Sequence, residues 1–161
     1  MIAETQTHSP LRRLAIVAAG IPLIAVAWVW HRTSTRDRGA QLFDGRTPLT
    51  GRLVGHDDPL PSEAVQCKNC HALESEPPPK PPKAGGALAL TETLGPTLGP
   101  SSLTQPAQRR GGPVSEYTSD AFCRLLRDGV DPAEIMIPQL MPRYTLTDAE
   151  CDSLWSYLTL H

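Results

Sequence analysis

Apolar residues are unevenly distributed along the chain, and their spacing divides it into four parts. Residues 14–30 read LAIVAAGIPLIAVAWVW, a run without charge, bounded by Arg12 and Arg13 on one side and by His31 and Arg32 on the other. A bilayer core needs about 20 predominantly apolar residues, with about 17 as a lower limit. Trp28 and Trp30 fall at one end of the run, where interfacial tryptophans lie. The run is expected to be a transmembrane signal anchor behind a short cytoplasmic tail, residues 1–13. Ala25-Val26-Ala27 also fits the small-x-small pattern of a cleaved signal peptide, cut after Ala27. A buried soluble helix is the third reading, and Pro22 within the run argues against it.

Residues 31–161 form the expected extramembrane domain. Arg36 to Phe43 allows two helical turns with Leu42 and Phe43 as apolar contacts, and Asp44-Gly45 breaks them. Pro48, Gly51, Gly55, Pro59 and Pro61 then keep the chain irregular. Nine of the seventeen prolines lie between Ala72 and Pro113, and Glu76-Pro77-Pro78-Pro79-Lys80-Pro81-Pro82-Lys83 is expected to be extended or disordered. This Pro-rich insertion, about residues 74–93, reads as a solvated surface segment. The best helical patterns are C-terminal. Thr118 or Ser119 can cap a helix running to Asp128 and ended by Gly129, with Phe122, Leu125 and Leu126 as its stripe. Thr147-Asp148-Ala149-Glu150 is a capping box, followed by Cys151, Leu154, Trp155 and Leu158 at i, i+3, i+4 and i+7. No segment shows convincing strand alternation. The expected fold class is all-α, a small helical domain preceded by one N-terminal transmembrane helix.

Composition narrows the function classes. At 161 residues and 17.5 kDa there is room for one domain plus an appendage. Fifteen basic against seventeen acidic side chains, with pI ≈ 6.2, argue against a nucleic-acid partner held by phosphate neutralisation. Aromatics at 5% imply a small core. Cys67, Cys70, Cys123 and Cys151 are too few and too unevenly spaced for a disulfide-dense mini-protein.

The chemistry lies at Cys67-Lys68-Asn69-Cys70-His71, the C-x-x-C-H attachment motif of c-type haem. Two thiols at this spacing reach the two vinyl groups of one porphyrin and form thioethers. The next residue then presents its imidazole to the iron as the proximal ligand. Two other uses of C-x-x-C compete. Half a zinc site needs two further ligands of similar spacing, and Cys123 and Cys151 fall on or beside apolar helical stripes instead. A thioredoxin-like pair needs a βαβ pattern nearby, and none is visible. A second iron ligand is expected near the C-terminus, and Met141, on a loop just before the last helix, is the candidate. Met136 is its rival, although Ile135 and Ile137 on either side make it read as core packing.

These residues together resemble the class I cytochrome c domain, over roughly Arg36 to Leu160. The short helix ending in Leu42-Phe43 resembles the helix that precedes C-x-x-C-H in the family. Gly95-Pro96-Thr97-Leu98 is similar to its Gly-Pro-x-Leu, and Met141-Pro142-Arg143-Tyr144 with the capped C-terminal helix is similar to its distal loop. The resemblance implies one covalently bound haem c, with Cys67 and Cys70 as thioether anchors, His71 as proximal ligand and Met141 as distal ligand. It further implies that the Pro96 carbonyl accepts the His71 N–H, with Gly99-Pro100 as a second candidate. The departures are the more than twenty residues between Phe43 and Cys67 and the lengthened loop before Pro96. Counted by Lys and Arg, the flanks of the apolar run would place the C-terminal side inside. Haem attachment on the outer face of the bacterial cytoplasmic membrane, which the resemblance implies, overrules that count. The expected protein is a single-pass inner-membrane cytochrome facing the periplasm, with no catalytic residues, that carries single electrons between redox protein partners. A haem sensor or enzyme with an open distal site, or a cytochrome subunit of a larger oxidoreductase, are the alternatives.

Four further features complete the reading. Cys123 and Cys151 sit on two helices that could pack together, as a disulfide or as two buried thiols. His56 beside Asp57 and Asp58 reads as a loop histidine or a metal ligand, and Arg109-Arg110 as a solvated pair or a propionate partner. Trp155 reads as packing near the haem edge.

Overall fold

Both C-terminal helical patterns form, and their ends are where the capping chemistry puts them. In the computed structural model, which describes residues 34–76 and 95–160, Ser119–Asp128 is helix α3 and Asp148–Thr159 is helix α4. Thr118, not Ser119, caps α3 through its Oγ1, which accepts from the Ala121 N–H at 3.2 Å. Ser119 instead donates to Asp152 on α4 at 2.9 Å. Gly129 ends α3 in the left-handed region at φ 75°, a conformation that favours glycine. The expected Thr147–Glu150 box closes the start of α4, with Glu150 Oε2 accepting from the Thr147 N–H at 2.9 Å. Phe122, Leu126, Leu154 and Leu158 form a common core between the two helices. Trp155 tilts against Phe122 with ring centroids 5.7 Å apart.

Helix α1 covers residues 34–43 and buries Leu42 and Phe43. Its contact with α4 depends on Gly39. A side chain there would lie well under 3.0 Å from the Ser153 carbonyl oxygen and the Tyr157 Cβ. The missing Cβ lets α1 reach the α4 backbone, and Phe43 then meets Tyr157 at 5.8 Å.

The all-α expectation is overturned. Among the described residues, four α-helices are accompanied by two small antiparallel sheets. β1 (Thr50–Arg52) pairs with β4 (Arg143–Thr145) in the register Thr50↔Thr145, Gly51↔Tyr144 and Arg52↔Arg143. β2 (Ala107–Gln108) pairs with β3 (Val114–Ser115). Strands of two or three residues are too short for a period of two to show, and β1 lies among the glycines and prolines that read as loop. Helix α2, Pro100–Thr104, also went unread. Gly99 is its N-cap and Pro100 its first residue. Among the described residues no helix is long and apolar enough to cross a membrane. The expected anchor at 14–30 and residues 77–94 of the Pro-rich insertion lie outside the described residues.

Cys123 and Cys151 are free, buried thiols on α3 and α4, near enough to influence each other's ionisation. Of the two readings offered by the sequence, this is the pair of buried thiols and not the disulfide. Burial pushes Cys151 up to about 12 and raises Cys123 as well.

Two expectations follow for stability. Helix propensity alone would make Gly39→Ala stabilising by about 1 kcal/mol. Overpacking against α4 reverses the sign, and urea unfolding should show a net loss of about 1–3 kcal/mol. The thiol pair sets an alkaline limit. Thiols of the unfolded chain ionise near about pH 8.5, before those of the folded chain. Their contribution is intact below that pH and is lost as pH rises toward the native value of Cys151. Urea midpoints should fall between about pH 8 and about pH 10.5, and fall less steeply in Cys151→Ala.

Candidate functional site

The C-x-x-C-H segment is built on one tight turn. Cys67–Asn69 is a 3-10 turn in which the N–H groups of Cys70 and His71 both donate to the Cys67 carbonyl, at 3.1 and 3.0 Å. Asn69 Nδ2 donates to the Glu63 carbonyl at 2.7 Å and holds the turn from outside. The chain leaving the turn runs beside residues 95–98 in a parallel pairing. Gly95 N–H donates to Cys70 O at 2.9 Å, Leu98 N–H to Ala72 O at 2.8 Å, and Glu74 N–H back to Leu98 O at 2.9 Å.

This pairing sets the Pro96 carbonyl 2.8 Å from His71 Nδ1. With Nδ1–H donating, Nε2 keeps its lone pair available for a metal. Burial holds His71 below the usual histidine value, against the opposing pull of the Pro96 carbonyl, so the ring is neutral at pH 7. Pro100, the second acceptor candidate, is taken up by the start of α2. Gly95 matters for a separate reason. A Cβ there would lie under 3.0 Å from three atoms of the His71 ring, so only glycine lets this backbone lie against the imidazole. Glu74 extends the same junction to α2, where its carboxylate accepts from the N–H groups of Ser101 and Ser102 at 3.1 and 2.8 Å.

Cys67, His71, Pro96 and Met141 line one cavity of about 350 Å³, whose walls include Phe43, Leu98, Phe122, Leu154 and Leu158. That volume falls within the range of about 300–1,000 Å³ typical of cofactor and small-molecule sites. Cys70 lines a smaller adjoining pocket of about 110 Å³, together with Cys67, His71 and Met141. Met136 is 58% exposed and lies in an outer cleft with Arg52, His56 and Arg143. Its reading as core packing is therefore wrong, and the cavity is lined by Met141 alone of the two. Among the described residues no three His, Cys, Asp or Glu side chains converge as a metal-ion cluster, at His56 or at the paired thiols. Arg109 and Arg110 both line the cavity. The Arg109 guanidinium is engaged by the carbonyls of Ser102, at 2.9 Å, and Ser115, and it lies over the Tyr117 ring. Trp155 packs on Phe122 and is not among the residues that line the cavity.

Three residues around the cavity were not singled out from the sequence. Tyr144 lines it and donates its hydroxyl to the Val65 carbonyl at 3.0 Å, and burial pushes its phenol well above the usual value. Asp131, 1% exposed, also lines it. Its Oδ1 accepts from the N–H groups of Ala133 and Ile135, both at 2.9 Å, while Oδ2 has no partner. Arg143 donates to the carbonyls of Met141 at 2.6 Å and Ile137 at 3.4 Å, and its Nε has no partner. The Asp131-Pro132 step is a turn signal that could have marked the first. Arg143 carries no signal beyond its place in the distal motif.

The arrangement joins an apolar cavity, an imidazole nitrogen, a thioether sulfur and two thiols at one edge. That donor set suits a large apolar cofactor carrying a soft metal. The chain matches no protein-family model, no curated protein and no solved structure.

Gly95→Ala tests the junction directly. In nitrogen-15 spectra of the histidine side chains, the parent should show the His71 tautomer with its proton on Nδ1. The variant should lose that signature, since the ring and the Pro96 carbonyl can no longer meet across residue 95.

Proposed function

We propose that this chain is a single-haem c-type cytochrome, membrane-tethered, that carries one electron at a time between redox proteins on the outer side of a bacterial cytoplasmic membrane. The observation that carries the reading is the shared cavity of Cys67, His71 and Met141, with His71 Nδ1 on the Pro96 carbonyl. Haem supplies, when bound, a one-electron ferric–ferrous couple at its iron.

The residues present fit that group. Cys67 and Cys70 would hold it through thioethers, His71 Nε2 would be the proximal ligand and the Met141 sulfur the distal one. Pro96 fixes the imidazole plane, and Tyr144 braces the Cys67 side through Val65. Leucine and phenylalanine walls exclude water, and ligation by sulfur raises the potential relative to two histidines. Arg109, Arg110 and Tyr117 give the cavity a polar sector where carboxylate groups are best received. Electron transfer asks no acid–base work of these side chains. The apolar run at 14–30 supports export of the domain, with the run either retained as a tether or removed after Ala27.

The test is co-expression with c-type haem maturation proteins. The parent should retain haem through a denaturing gel, and Cys67→Ala with Cys70→Ala should not. A low-spin spectrum with a sulfur-to-iron band should be insensitive to carbon monoxide, lost in Met141→Ala and kept in Met136→Ala. A high-spin spectrum that shifts with carbon monoxide would make the protein a haem sensor or enzyme instead, and absence of covalent haem would end the reading.

A further inference from the structure

Two side chains of acidic or basic type are buried among the described residues, Asp131 at 1% and Arg143 at 8% exposure, and neither belongs to an ion pair. Taking an unpaired charge out of water costs several kcal/mol even after relaxation. Both are instead held by backbone dipoles, and both retain one polar atom with no partner.

They occupy the two ends of one segment. Asp131 closes the turn after α3 and lines the cavity. Arg143 lies on β4 behind the loop of Met141, with its guanidinium bonded to the Met141 carbonyl and laid against Gly129. A Cβ at residue 129 would collide with that guanidinium, so the helix-ending glycine also makes room for it. Burial holds Arg143 below the usual arginine range, yet it has no carboxylate to answer it. Its cross-strand neighbour is Arg52, a like charge directly opposite and unfavourable by itself. Around Asp131 the facing groups are Tyr117, Arg109 and Arg110 across the cavity, while Arg124 reaches its main-chain carbonyl from α3. Around Arg143 they are Arg52, His56 and Asp57 near β1, with Arg127 and Asp128 of α3.

We infer that Asp131 and Arg143 are positioning charges that set the reduction potential of the bound haem in opposite directions, Asp131 lowering it and Arg143 raising it. The inference rests on the haem reading above. Oxidation leaves one more positive charge at the iron and returns one electron to the acceptor. A carboxylate at the cavity wall favours that state, and a guanidinium behind the distal loop disfavours it. In a water-poor interior both fields reach further than they would at the surface.

The experiment is redox titration of the covalently loaded protein, with its spectrum recorded at each end. Asp131→Asn keeps an oxygen for the Ala133 and Ile135 N–H groups and removes the charge, so the midpoint should rise. General loosening of the site, or loss of Met141 from the iron, would lower it instead. Arg143→Gln should lower the midpoint with the sulfur-to-iron band retained, and Arg143→Lys should restore it toward the parent. An Asp131→Asn midpoint at or below the parent's, with an unchanged spectrum, overturns the role of Asp131. Loss of the band in Arg143→Gln makes that residue a tether for the loop and overturns its role as a charge. Failure of the parent itself to bind haem is a different result, and it defeats the functional reading first.

Discussion

Everything around the cavity depends on how residues 70–74 lie beside residues 95–98. Three backbone hydrogen bonds fix that pairing, and its consequences spread outward. It sets the Pro96 carbonyl on His71, presses Gly95 against the ring, and brings the Glu74 carboxylate to the first N–H groups of α2. Helix α2 in turn packs on α4. Twenty residues, 75–94, separate the two halves, yet loop-closure entropy grows only as about (3/2)RT ln n. Lengthening such a loop severalfold costs on the order of 1 kcal/mol. The pairing can therefore keep its geometry while the sequence between its halves varies in length and composition.

What the sequence made legible was chemistry and periodicity. The spacing of Cys67, Cys70 and His71 carried its own physical reason, and the caps at Thr118, Gly129 and Thr147 were readable because capping is local. Met141 and Pro96 were reachable through resemblance, and both line the cavity. Where the reading failed, the determinant was non-local. Met136 between two isoleucines looked apolar and buried, but at the Val130↔Met136 bridge its side chain is exposed while that of Ile137 is buried. Gly51 looked like a breaker and is a strand residue opposite Tyr144. Gly39 gave no hint of its role, because close approach to the Ser153 carbonyl exists only once α4 has docked.

The sheet formed by β1 and β4 is small, but it explains why an all-α architecture would not serve here. Met141-Pro142 enters β4 directly, and Tyr144 on that strand reaches the Val65 carbonyl just before the C-x-x-C-H turn. The strand that follows Met141 and the segment that leads into the C-x-x-C-H turn are thus linked by one side chain across 79 positions of sequence. Two strands of three residues give the distal loop a fixed anchor without requiring another helix in a domain with few aromatic residues to pack it.

Charge placement follows the same logic. Among the described residues, the ion pairs Arg38–Glu150, Arg46–Asp44, Arg124–Glu134 and Arg127–Asp148 lie on exposed or half-exposed groups, where each contributes on the order of 0–1 kcal/mol. Asp131 and Arg143 lie inside, unpaired, and their burial cost weighs against folding. Replacing such groups with apolar residues of similar volume is often neutral or stabilising by about 1–4 kcal/mol. Stability alone therefore gives no reason to keep them. Hydrogen bonds to the backbone fix the position of each side chain without an ion pair. A salt bridge would instead have required a second charge to be desolvated. His71 is held in the same way, since the Pro96 carbonyl orients the imidazole without placing a full charge beside it.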